Sequence, residues 1–170
     1  MDVSFEREAQ KDEWLTPPYI MDALGEFDLD PCAPINRPWD TAKKHYTIED
    51  EGLGKEWQGR VFCNPPYGKE TKVWLNKCAD YGNAIGLVFA RTETRMFFES
   101  VWEKADAIFF IKGRLSFYTV QGQKGGTAGA PSVLIAYGRE NADYLQNLKL
   151  EGCFVDLRHS YVTEKQSTLL

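Results

Sequence analysis

The sequence predicts an α/β fold, a sheet of mostly parallel strands with helices on both faces, and three observations lead there. Residues 84–90 (AIGLVFA) and 132–137 (SVLIAY) are near-continuous apolar runs of strand length, as expected where both faces of a sheet are covered. Between residues 70 and 81 the apolar side chains Val73, Trp74, Cys78 and Tyr81 recur at helical spacing instead. Along the chain, strand and helix signals alternate. That is the order of a layered α/β domain whose ligands gather at the carboxyl ends of the strands.

Residues 1–13 are polar, charged and aperiodic, and are expected to be a poorly ordered lead-in. A single domain is expected over 14–158, with 159–170 as a tail. Pro17 and Pro18 suit the first turn of a short helix over 19–24, with Thr16 as its cap. Phe27, Asp28, Leu29 and Asp30 alternate as a short strand that Pro31 ends. Residues 31–58 read as loop, interrupted by Pro31, Pro34, Pro38, Gly52 and Gly54 and pinned by Trp39, Tyr46 and Trp57. A strand over 60–63 runs into a second proline-rich turn. The 70–81 helix stops at Gly82 and Asn83. A strand over 84–90, a helix over 94–104 and strands over 107–111 and 132–137 follow, with one strand near the C-terminus expected to run antiparallel. Residues 121–129 (QGQKGGTAG) carry glycines and a lysine with nothing to bury, and are expected to be a mobile loop.

With 170 residues, 43% hydrophobic and 14% aromatic, the chain can bury one core. It has no apolar run of the roughly 18 residues a membrane span needs, and residues 1–13 lack the basic start and apolar centre of a signal peptide. Cys32, Cys63, Cys78 and Cys153 are widely spaced, as buried reduced thiols are, so a cytosolic protein is expected. His45 and His159 are the only histidines, and no metal site is expected. The net charge of −5 excludes a polycation that grips nucleic acid by charge alone. The charge is uneven, however: residues 1–58 carry 6 Lys/Arg against 14 Asp/Glu, and residues 59–170 carry 14 against 11. A phosphate-facing surface would belong to the second part. A monomer or weak dimer is expected.

The most informative feature is Asn64-Pro65-Pro66-Tyr67, directly after a predicted buried strand. Adjacent prolines fix φ and remove two N–H donors, leaving carbonyls that can face a pocket as acceptors. An aromatic exocyclic amine is a poor nucleophile because its lone pair is delocalised into the ring. If the Asn64 side-chain oxygen and the Pro65 carbonyl each take one amine hydrogen, the nitrogen becomes more tetrahedral and its lone pair can be aimed. No general base is required, and Tyr67 can stack on a flat base. The alternative is a rigid strand-to-helix turn without chemistry.

With this loop the chain resembles the amino-methyltransferases of class I fold, and in particular the compact Dam-like DNA adenine methyltransferases carried by phages and prophages. The resemblance covers residues 14–157. It includes an N-terminal Trp-x-Thr-Pro at 14–17 and a strand ending Asp-Leu-Asp-Pro-Cys-Ala at 28–33. It implies a three-layer Rossmann-like sheet, S-adenosylmethionine as cofactor and the N6 amine of adenine in DNA as acceptor, with Asn64, Pro65, Pro66 and Tyr67 as the catalytic loop. It further implies cofactor contacts from Trp14, Thr16 and Pro17, from Asp30, Pro31 and Cys32 of the first motif, and from Asp50 in an acidic turn. Arg91, Arg114 and Lys124 could reach phosphate, and Phe117 could form a second wall around a flipped adenine. Structural ion pairs for the two arginines and a core position for Phe117 are the competing readings.

Two features depart from the family pattern. Residues 32–35 (CAPI) replace a glycine-rich turn. The stretch from Asp30 to Arg60 is also too short for two strand–helix units of about 30 residues each, so the sheet is expected to be trimmed there. The same loop chemistry would serve a protein glutamine or an RNA adenine, and a non-catalytic binder that kept the fold is the reading of another class. The Trp-x-Thr-Pro start, the missing glycine turn and the basic second part favour DNA.

Overall fold

The structure, a computed structural model, describes residues 13–165. Seven strands form one sheet: β1 (Leu29–Asp30), β2 (Lys44–His45), β3 (Val61–Cys63), β4 (Ala84–Phe89), β5 (Ala107–Ile111), β8 (Ser132–Tyr137) and β9 (Gly152–Asp156), in the order β2-β1-β3-β4-β8-β5-β9. β6 (Ser116–Tyr118) and β7 (Lys124–Thr127) make a separate hairpin. The helices are α1 (Pro18–Leu24), α2 (Thr71–Tyr81), α3 (Arg95–Phe97) and α4 (Arg139–Gln146).

The two-residue period of a strand sorts side chains to opposite faces, and two cores result. Ala84 and Val88 of β4 join Leu75 and Cys78 of α2 and Phe97 beneath one face. Ile85 and Leu87 join Ile20 and Leu24 of α1 and Ala142 and Leu145 of α4 beneath the other. This is the three-layer arrangement the apolar runs predict. α2 ends where predicted, because Gly82 takes the left-handed conformation (φ 80°) and returns its N–H to Cys78 O.

The expectation of a largely parallel sheet needs correction. β1 pairs in parallel with β2 and β3, and β3 with β4, but β8 is antiparallel to both β4 and β5, and β9 is antiparallel to β5. Three of the six neighbouring pairs are therefore antiparallel. The chain leaves β5 through the β6–β7 hairpin and returns between β4 and β5, so it re-enters the sheet pointing backwards. Between β1 and β3 the structure has the two-residue β2 and no helix.

Other predicted elements change as well. The strand over 27–30 shortens to β1, and the helix over 94–104 becomes α3 followed by a π-helical turn, Phe98–Trp102. The buried Tyr137 hydroxyl donates to Ser100 O at 2.5 Å, satisfying a carbonyl inside that widened turn. The segment expected as a mobile loop contains β7, which pairs with β6. β9, antiparallel to β5, is the strand expected near the C-terminus, and β2, β6 and α4 are additions to the elements the pattern predicts. Residues 1–12 of the expected lead-in and 166–170 of the expected tail lie outside the described residues.

At the amino end of β3, Arg60 lies between the rings of Phe27 (4.2 Å) and Tyr144 (4.4 Å). Its Nη1 donates to Leu24 O and Glu26 O and its Nε to Asn141 Oδ1. These bonds tie α1 and α4 to the sheet. The opposite, carboxyl edge carries the ends of β1, β3, β4 and β5, which all point the same way.

Candidate active site

The carboxyl edge collects most of the residues singled out in the sequence. Asn64 follows β3, Pro31 and Cys32 follow β1, and Arg91 and Arg114 lie in the turns after β4 and β5. The 14–17 segment reaches the same edge because Leu15 bonds Tyr118 of β6 in both directions (2.8 and 2.9 Å). Gly125 of β7 permits this packing. A Cβ there would meet the Trp14 ring at 2.8 Å and Phe117 O at 2.7 Å.

Asn64 is half-buried, and two neighbours hold it. Its Nδ2 donates to Thr16 Oγ1 at 3.4 Å, and Cys32 Sγ donates to its main-chain carbonyl at 3.2 Å. Among the described residues no donor reaches Asn64 Oδ1 or the Pro65 carbonyl. Pro65 is buried and Pro66 exposed. The turn is closed by Thr71, the first residue of α2, whose Oγ1 donates to Pro66 O (2.6 Å) and accepts from Gly68 N (3.1 Å). Tyr67, 45% exposed, lays one ring face on Phe89 at 4.3 Å and 5°. Phe89 is the end of the β4 apolar run and Thr71 the start of the predicted helix, and sequence reasoning assigned neither to the site.

Asp30 is 4% exposed. Its carboxylate accepts from Thr41 Oγ1 and from Cys32 N, which shapes the turn that replaces the glycine-rich motif. Burial pushes its carboxyl up to about 6, although both hydrogen bonds and the Arg37 charge pull the other way. Beside it, Cys32 Sγ lies 3.7 Å from Cys63 Sγ. The Cys32 and Cys78 thiols, together with burial, hold the Cys63 thiol well above the usual thiol range, so it stays protonated. Three widely spaced cysteines thus converge under the site. Among the described residues no group of three or more metal-ligating side chains is suited to a cation.

The remaining residues fall into place unevenly. Thr16 does not cap α1: Pro17 occupies the N-cap position, and no side chain bonds there. The turn containing Asp50 packs on the first motif, since Gly52 lies against Pro31 O where a Cβ would come within 2.2 Å. The Asp50 carboxylate itself accepts from Thr47 N and Oγ1, closing its own turn. Phe117, 7% exposed, belongs to the core with Ile111 and Leu115. Arg91, Arg114 and Lys124 are exposed, and among the described residues none forms an ion pair.

A layered α/β domain with a seven-stranded sheet is consistent with the fold of the methyltransferases. The chain belongs to the family described as DNA N-6-adenine-methyltransferase (Dam), which it matches over residues 4–145. No curated protein and no solved structure matches it. Membership gives the chain the general activity of a DNA adenine N6-methyltransferase, and methyl transfer in turn requires a methyl donor.

Proposed function

We propose that the protein transfers the methyl group of S-adenosylmethionine to N6 of an adenine swung out of duplex DNA into the 64–67 loop. The observation that carries this reading is the pair of unpartnered acceptors, Asn64 Oδ1 and the Pro65 carbonyl, at the carboxyl end of a central strand. An amine with two hydrogens fits two such acceptors, and both sit on a proline-stiffened turn closed by Thr71, so little reorganisation accompanies reaction. Taking both hydrogens draws the nitrogen lone pair out of conjugation, and the surplus proton leaves to water after transfer. Phe89 covers one face of Tyr67 and leaves the other for the base, a contact worth about 1–3 kcal/mol.

The donor set suits the cofactor. An ionised Asp30 has lone pairs beyond those used by Thr41 and Cys32 and can accept from an ammonium group. Trp39 Nε1 is a buried donor without a partner in the loop after β1. Trp14, Pro17, Asp30, Pro31, Cys32 and the turn of Asp50 are the residues that would hold it. When bound, S-adenosylmethionine supplies an electrophilic methyl on a sulfonium. Arg91, Arg114 and Lys124, which pair with no carboxylate among the described residues, are suited to DNA phosphates.

Single-molecule sequencing of DNA from cells expressing the protein tests the proposal, with N64A as control. N6-methyladenine in a recurrent context is expected with the wild type and not with N64A, and N64A should keep most of its cofactor affinity. An active N64A, or unmodified adenine with a folded wild type that binds cofactor, would refute it.

A further inference from the structure

A carboxamide is chemically two-ended, with one oxygen that accepts and one nitrogen that donates. Half a turn about its last bond would present hydrogens to the target amine where the chemistry needs a lone pair. Nothing within Asn64 chooses between the two orientations. The substrate amine, which offers hydrogens, selects the oxygen, and the far end of the carboxamide is held by Thr16 Oγ1, which accepts from Asn64 Nδ2 at 3.4 Å. Thr16 is 2% exposed. It is fixed on one side by the Leu15 bridge to Tyr118 and on the other by Pro17 at the start of α1. Its hydroxyl is therefore a stationary partner.

We propose that Thr16 is a positioning residue that anchors the far end of the Asn64 carboxamide, so that Oδ1 is held in place to receive the substrate amine, acting on methyl transfer through Asn64. This rests on the methyl-transfer reading above, and it gives Thr16 a different role from the cofactor contact that the family resemblance implies. Cys32 completes the hold by donating to the Asn64 main-chain carbonyl, which keeps the backbone still while Thr16 orients the side chain.

The test compares T16V, T16S and T16A with the wild type in three measurements. These are kcat on adenine-containing duplex DNA, the S-adenosylmethionine dissociation constant, and the Asn64 side-chain amide signal in ¹⁵N NMR of the cofactor-free protein, assigned by its absence in N64D. T16V keeps the shape and removes the acceptor. Loss of one neutral hydrogen bond predicts a kcat about 5- to 10-fold lower, with the dissociation constant within about twofold and T16S restoring the rate. In T16V the Asn64 amide hydrogens should shift and exchange faster with solvent, and T16S should return them to wild-type behaviour. Should T16V not fold, T16A carries the same comparison. A T16V variant with wild-type kcat, a loss confined to cofactor binding, or an unmoved Asn64 amide signal would overturn the proposal. A wild type without methyl transfer would overturn the reading it rests on, while the amide signal still decides whether Thr16 holds Asn64.

Discussion

Replacing Asp30 by asparagine should stabilise the protein while impairing it. The carboxyl is raised from 3.8 to about 6 by burial, so the folded state disfavours the ionised form. The sign follows directly. The favourable contribution of this group is fully present below the unfolded value and is lost as pH rises through about 6. A rise of about two units corresponds to about 3 kcal/mol once both states are ionised, and to roughly half of that at pH 5. An asparagine can keep both local bonds, its oxygen accepting from Cys32 N and its nitrogen donating to Thr41 Oγ1, without carrying the charge. D30N should therefore exceed the wild type in stability by about 1 to 2 kcal/mol at pH 5 and by about 3 kcal/mol at pH 8. Urea denaturation of both proteins at the two pH values measures the gap. The same variant should bind S-adenosylmethionine about 10- to 100-fold more weakly if the carboxylate receives the ammonium, since bonds to charged groups are the stronger class. A D30N protein no more stable than the wild type at pH 8, with the same pH slope, would refute the reasoning.

Three further changes probe the rest of the edge. G125A should push the Trp14 ring away from β7, since the added Cβ would meet it at 2.8 Å; a shift in tryptophan fluorescence and weaker cofactor binding are expected. R91A, R114A and K124A combined should weaken DNA binding and lower the slope of log K against log salt by up to about 3, at about 0.9 per phosphate contact. An unchanged slope would remove these side chains from the DNA surface. F89A takes away the support beneath Tyr67 and should raise KM for DNA by about 5- to 10-fold, consistent with a stacking contact of about 1–3 kcal/mol becoming loose, while leaving cofactor affinity unchanged.

The layered fold was legible because burial writes itself into sequence. The runs that form β4, β5 and β8 are apolar on both faces, and of the α2 stripe read from the sequence Trp74 and Cys78 are buried, whereas Val73 is exposed and Leu75 takes its place in the core. Strand direction leaves no such trace, since an antiparallel strand buried on both faces has the same composition as a parallel one. β7 escaped for the opposite reason. Its residues Lys-Gly-Gly-Thr have no strand character alone, and pairing with β6 and packing by Trp14 make it a strand. The 64–67 loop was conspicuous through its two prolines, but its supports were not. Thr16 has the local look of a helix cap, yet its hydroxyl meets Asn64 across 48 residues. Likewise, nothing in the spacing of Cys32 and Cys63 indicates that their sulfurs lie 3.7 Å apart.

The Leu15–Tyr118 bridge bears on how the molecule assembles. Two backbone hydrogen bonds, worth about 1 kcal/mol each, and the burial of Leu15 hold this segment to the rest of the domain. Its partner Tyr118 belongs to β6, far along the chain, so the segment can dock only after that strand has been made. The segment is also among the first parts to detach in local opening. Hydrogen exchange in the native protein should find the Leu15 amide less protected than those of β4 and β8.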